Sequence, residues 1–125
     1  MTQEEKQLLL KDLCARFPYG VICQLSNNNA DVSITEKLEL GGLEHFISGT
    51  MDVKPYLRPM SSMTEEEELE LITIGDIVLR YGERKHTSIL SLEQMDWLNS
   101  HHFDYRGLIE KGLALEAPEG MYKIK

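Results

Sequence analysis

The sequence predicts an α+β fold: a small antiparallel sheet of three to four strands packed with about three helices, in a single globular domain over residues 1–125. Three observations lead there. Two stretches carry helical periodicity behind a capping-box spacing, Thr2 with Glu5 and Ser91 with Gln94. Two short runs alternate polar with apolar residues on either side of Asn27-Asn28-Asn29, the pattern of a hairpin. No repeat or low-complexity linker divides the chain.

Thr2 to Arg16 reads as the first helix. Leu9, Leu13 and Phe17 fall near one face with Leu10 and Cys14 beside them; Glu4, Lys11 and Asp12 fall outward, and Pro18 ends the helix. Tyr19 to Ser26 reads as a strand with Tyr19, Val21, Cys23 and Leu25 on one face. The asparagines turn the chain, because Asn tolerates positive φ. In the next run Val32, Ile34, Leu38 and Leu40 point one way, and Asp31, Ser33, Thr35, Lys37 and Glu39 point the other. Glu36, polar on the apolar face, suggests an edge strand. Gly41-Gly42 breaks that strand. Leu43 to Leu57 reads as one or two further short strands ending in Asp52 to Leu57. Pro55 lacks an N–H and should confine its strand to an edge or a terminus.

Ser62 or Thr64 caps the next helix, which runs to about Tyr81. Its expected buried stripe is Leu69, Ile72, Val78 and Leu79, with Ile74 or Ile77; Gly75 allows a kink or a close contact, and Gly82 is a C-cap candidate. Ser91 opens a helix to about His101 or His102, with Leu92, Met95 and Leu98 as its apolar face and Trp97 nearby. Beyond it come a turn or short helix (Tyr105 to Lys111), Gly112 as a terminator, and a strand from Leu113 to Ala117. Pro118-Glu119-Gly120 is a turn, after which Met121 to Ile124 can pair back as a hairpin arm.

Composition narrows the function. A net charge of −8 argues against a general nucleic-acid coat or an anionic-membrane binder, since phosphate binding needs positive potential. Cys14 and Cys23 fit no zinc or redox spacing and read as reduced, mostly buried thiols. The first residues, MTQEEKQLLL, lack the basic and apolar regions of a signal peptide, and no apolar run approaches the ~20 residues of a membrane span. The expectation is a cytoplasmic protein without a cofactor.

The strings KPYLRPMSSMTEEE and DWLNSHHFDYRGLIEKGLALEAPEGMY resemble an uncharacterised family of small proteins from phages, prophages and mobile elements of gut bacteria. The resemblance covers roughly Asp52 to Glu68 and Asp96 to Tyr122. It implies a cytoplasmic accessory protein and supplies no catalytic residues.

No catalytic, metal or nucleotide motif stands out. The partner-binding candidates are Tyr56, Arg58, Glu65, Glu66, Trp97 and Tyr105. Tyr and Arg are enriched at interfaces, and a glutamate run at a helix start attracts basic partners. Against that, Arg58 can pair with one of Glu65 to Glu68 and pin the proline-bracketed arm to the helix. Arg80, Arg84 and Lys85 form a local basic cluster that could touch nucleic acid, or only satisfy a helix C-terminus. His101, His102 and Asp104 are weak metal candidates, because adjacent histidines on a helix point about 100° apart. The expected function is non-enzymatic: protein–protein contact with a host or phage partner. A nucleic-acid-binding regulator and a small metal protein or enzyme are the alternatives.

Overall fold

The structure, a computed structural model, describes residues 1–27, 33–80 and 91–122, apart from the side chains of residues 75–80. Asn28, Asn29, Asp31, Val32, Gly82, Arg84, Lys85 and Ile124 therefore lie outside the described residues. So do the side chains of Ile77, Val78, Leu79 and Arg80.

The chain runs α1 (Gln3–Arg16), β1 (Ile22–Asn27), β2 (Ser33–Lys37), α2 (Leu40–Ser48), β3 (Met51–Leu57), α3 (Glu65–Arg80), α4 (Leu92–Ser100) and β4 (Leu115–Glu116). The fold is α+β. The strand order is β2-β1-β3-β4. β1 pairs antiparallel with both β2 and β3, whereas β4 lies parallel to β3. The sheet is thus mixed rather than antiparallel throughout, and among the described residues there are four α-helices where about three were expected.

The capping signals place α1 and α4. Thr2 Oγ1 accepts the Glu5 amide while the Glu5 carboxylate accepts the Thr2 amide, and Ser91 and Gln94 repeat this exchange. On α1 the buried residues are Leu9, Asp12, Leu13 and Arg16, one stripe at helical spacing. Asp12, expected outward, is buried within that stripe. Cys14, expected inside, is exposed, while Cys23 is buried. Tyr19 sits exposed in a single 3₁₀ turn before β1 rather than on the strand.

The largest departure is α2. Gly41-Gly42 reads as a strand breaker, but both glycines lie in the first turn of a helix. A Cβ on Gly42 would sit 3.1 Å from Leu38 Cδ1 and 3.3 Å from Leu25 Cδ2. The glycine therefore lets α2 press onto the sheet, with Leu43 and Phe46 buried beneath it. β2 is the edge strand that Glu36 suggested, but all five of its residues are exposed. Ile34 stays about half exposed, Leu38 is buried just past the strand, and Leu40 is exposed at the start of α2. The expected run of one-sided apolar residues is therefore split between two elements.

Pro55 is not at an edge: β3 lies between β1 and β4. Its last partner on β1 is Cys23, and pairing with β4 begins one residue later at Tyr56. The proline occupies the changeover between neighbours. β3 buries Val53, Pro55 and Leu57 on one face, and Val53 and Leu57 join Leu9, Leu13, Cys23, Leu25, Phe46 and Leu108 in the main core. Replacing a core leucine such as Leu57 by alanine costs about 2–5 kcal/mol. A second cluster of Trp97, Leu98 and Phe103 packs on Leu71 and Ile74 of α3.

The final segment makes turns around β4, shorter than the expected strand. Met121 lies in a turn, its amide bonded to Pro118 O. Tyr122 also lies in a turn, and its phenol oxygen accepts the Ile22 amide at 2.7 Å and donates to Tyr56 O at 2.7 Å. One hydroxyl thus continues the β1–β3 ladder beyond Pro55.

Candidate functional site

β3 and β4 part company after Leu57 and Glu116. The final bond between them runs from the Ala117 amide to Leu57 O. One branch continues as Arg58-Pro59 toward α3, the other as Ala117-Pro118 toward the terminal turn. Arg58 bonds the α4 exit instead: its N–H donates to His102 O at 2.7 Å and its C=O accepts the Asp104 amide at 2.8 Å. Each proline fixes its own φ and biases the preceding residue to extended backbone, which keeps the branches apart.

Between the branches lies an open groove of about 670 Å³. Arg58 and Glu67 line it on the α3 side, and Glu116, Glu119 and Tyr122 on the other. Thr64 caps α3, accepting the Glu67 amide while the Glu67 carboxylate accepts the Thr64 amide. The same carboxylate takes both Arg58 Nη atoms at 2.7 Å. This is the pairing that the Arg58–Glu run made available. It holds the Glu67 pKa down at about 2, through the Arg58 hydrogen bonds first and the Thr64 amide after burial is set against them.

Arg58 is fixed from a second side. Its guanidinium lies 4.1 Å from the Phe103 ring centroid, Phe103 stacks on Trp97 at 5.8 Å, and Trp97 stacks on His101 at 4.0 Å. Arg58 and Trp97 are therefore structural members of one stacked column. Trp97 is buried, which removes it from the expected partner anchors. Tyr105 is half-buried, its hydroxyl donating to Asn99 Oδ1. Tyr56 is half-buried on the side of β3 opposite the core. Glu65 and Glu66 remain exposed in the first turn of α3. Among the described residues Glu116 and Glu119 have no cationic partner.

His101, His102 and Asp104 do not converge. The His101 ring stacks on Trp97, and His102 stacks on Tyr122 at 3.7 Å. The Asp104 oxygens accept the Leu108 and Ile109 amides. Among the described residues no group of three or more His, Cys, Asp or Glu side chains could hold a metal ion. Likewise, no described helix is long and apolar enough to cross a membrane.

A polar cluster missing from the sequence reading lies inside. Asp12 accepts Arg16 Nε at 2.9 Å on one oxygen and Arg106 Nε at 3.0 Å on the other. Arg16 is fully buried and donates through Nη2 to Phe103 O. His102 holds a left-handed backbone with φ +64°. Burial, then the Arg16 charge, pushes its pKa down to about 4. Burial pushes the Cys23 thiol up to about 12, with Asp12 adding to the effect. The available signal was the spacing of Asp12 and Arg16, three and seven residues after Leu9, which puts both on the leucine face.

The chain matches no protein-family model, no curated protein and no solved structure.

Proposed function

We propose that this is a non-enzymatic binding protein that takes a basic, extended segment of a partner protein into the groove between the β3 and β4 branches. The observation that carries this reading is the charge inside the groove. Arg58 and Glu67 neutralise each other, which leaves Glu116 and Glu119 in the groove lining, with Glu65 and Glu66 exposed in the same helix turn as Glu67. An open, acidic cleft suits Lys or Arg side chains on an extended backbone better than it suits nucleic acid, whose phosphates it repels. The string resemblance supports a host or phage protein, met in the cytoplasm, as the partner. The acidic helix start draws the partner in, and the fixed Arg58–Glu67 pair keeps the groove open.

A short-peptide array probed with the protein tests this. Enrichment of peptides rich in Lys and Arg is expected. A variant carrying Glu116→Lys and Glu119→Lys should bind them about tenfold more weakly, since exposed pairs contribute about 0.2–1 kcal/mol each and reversal adds repulsion. Equal selection of acidic and neutral peptides, or unchanged binding by the variant, would overturn the reading.

A further inference from the structure

We infer that Arg16, His102 and Tyr122 frame a buried site for one small oxyanion, a carboxylate or an inorganic anion of similar size. The first ground is charge. Asp12 is shared between the guanidiniums of Arg16 and Arg106, so one carboxylate faces two cations. Arg16 has no exposed surface and shares its counter-ion Asp12 with Arg106, and a buried charge that is only partly balanced is costly. Asp104 supplies its two oxygens to backbone amides instead.

The second ground is unused hydrogen-bonding capacity. Arg16 Nη1 is buried and has no partner, although Nε and Nη2 of the same group are bonded. His102 Nδ1 is also buried and has no partner. Both belong to side chains more than nine-tenths buried. Arg16 Nη2 bonds Phe103 O, so the guanidinium lies against the residue that follows His102. An oxyanion accepts from Arg16 Nη1, and from His102 in its Nδ1–H tautomer. It also balances the second guanidinium of the triad.

The third ground is position. Tyr122 stacks on His102 and also belongs to the lining of the groove, so one aromatic side chain is common to both. The other ionisable groups bearing on His102 are His101 and Arg58, the latter already paired with Glu67. This site is separate from the acidic groove, and neither proposal depends on the other.

The experiment titrates sodium sulfate and sodium acetate separately into the intact protein, with ionic strength held constant by sodium chloride. Thermal midpoints are recorded together with NMR shifts of the Arg16 Nε–H and the Ile22 amide. The expected result is a midpoint that rises by several degrees and saturates with sulfate or acetate, with both resonances moving along the same curve. Sulfate alone points to an inorganic anion, and acetate points to the carboxylate of a small acid. Arg16→Lys keeps the charge but loses Nη1, and should abolish saturation. A midpoint that climbs linearly without saturating, as salt exclusion produces, with the Arg16 resonance unmoved, overturns the inference. Saturation that persists in Arg16→Lys does the same. The wild-type NMR titration decides the matter should that variant fail to fold.

Discussion

Glu67→Gln isolates the Arg58–Glu67 ion pair from everything else the side chain does. Glutamine keeps an oxygen for the Thr64 amide, so the capping box survives and only the charge is lost. The magnitude follows from linkage. The fall in the Glu67 pKa from 4.5 to about 2, at about 1.4 kcal/mol per pH unit, sets a ceiling of about 3 kcal/mol. Both side chains keep about a fifth of their surface in water, 22% for Arg58 and 19% for Glu67. Screening therefore reduces the expected loss to about 1–2 kcal/mol at neutral pH. The sign is set by the depressed pKa: the contribution is complete above 4.5 and disappears as pH falls through about 2. Urea denaturation of wild type and variant at about pH 7 and about pH 2.5 measures the difference. The gap between them should narrow sharply at the lower pH. A gap that is absent at neutral pH, or equal at both, would refute the assignment of this stability to ionised Glu67.

Two further outcomes follow from the interior. Tyr122→Phe keeps the stack on His102 but strips the Ile22 amide and the Tyr56 carbonyl of their shared partner. It should cost about 1–3 kcal/mol in chemical denaturation, and an unchanged midpoint would mean that water replaces the hydroxyl. Ellman's reagent should titrate one thiol per native chain, the exposed Cys14, and reach Cys23 only after unfolding, because that thiol is buried with its pKa near 12. Fast reaction of both would contradict the packing of β1.

The features legible in the sequence are those set by neighbours in the chain. Thr2 with Glu5, Thr64 with Glu67 and Ser91 with Gln94 are three-residue relations, and each marks a helix start. Arg58 lies nine residues from Glu67, so their pairing was also within reach of a local argument. What failed depended on distant partners. Gly42 looked like a breaker because its reason for being glycine is the close approach of Leu38 and of Leu25, the latter on another element. β4 is two residues long and gains its place only by lying parallel to β3, which no local pattern encodes. Trp97 looked like an anchor because aromatic residues serve both surfaces and cores, and only the stack with Phe103 and Arg58 decides between them. The groove itself arises where two strands distant in sequence diverge, so its acidic residues looked unrelated in the linear chain.

The ties that close the interior have a kinetic consequence. Arg16 meets Phe103 across 87 residues, Asp12 meets Arg106 across 94, and Ile22 meets Tyr122 across 100. The β1–β3 ladder can form early, from segments close in sequence. Its last rung, and the partner of the buried arginine, arrive only with the far end of the chain. A nascent chain on the ribosome must therefore hold Asp12 and Arg16 in water until residues 103–122 emerge, and loop-closure entropy is spent before those contacts return it. Such a protein should commit to its native state late and in one step, and cutting it between α3 and α4 should leave two pieces, each missing the other's hydrogen-bond partners.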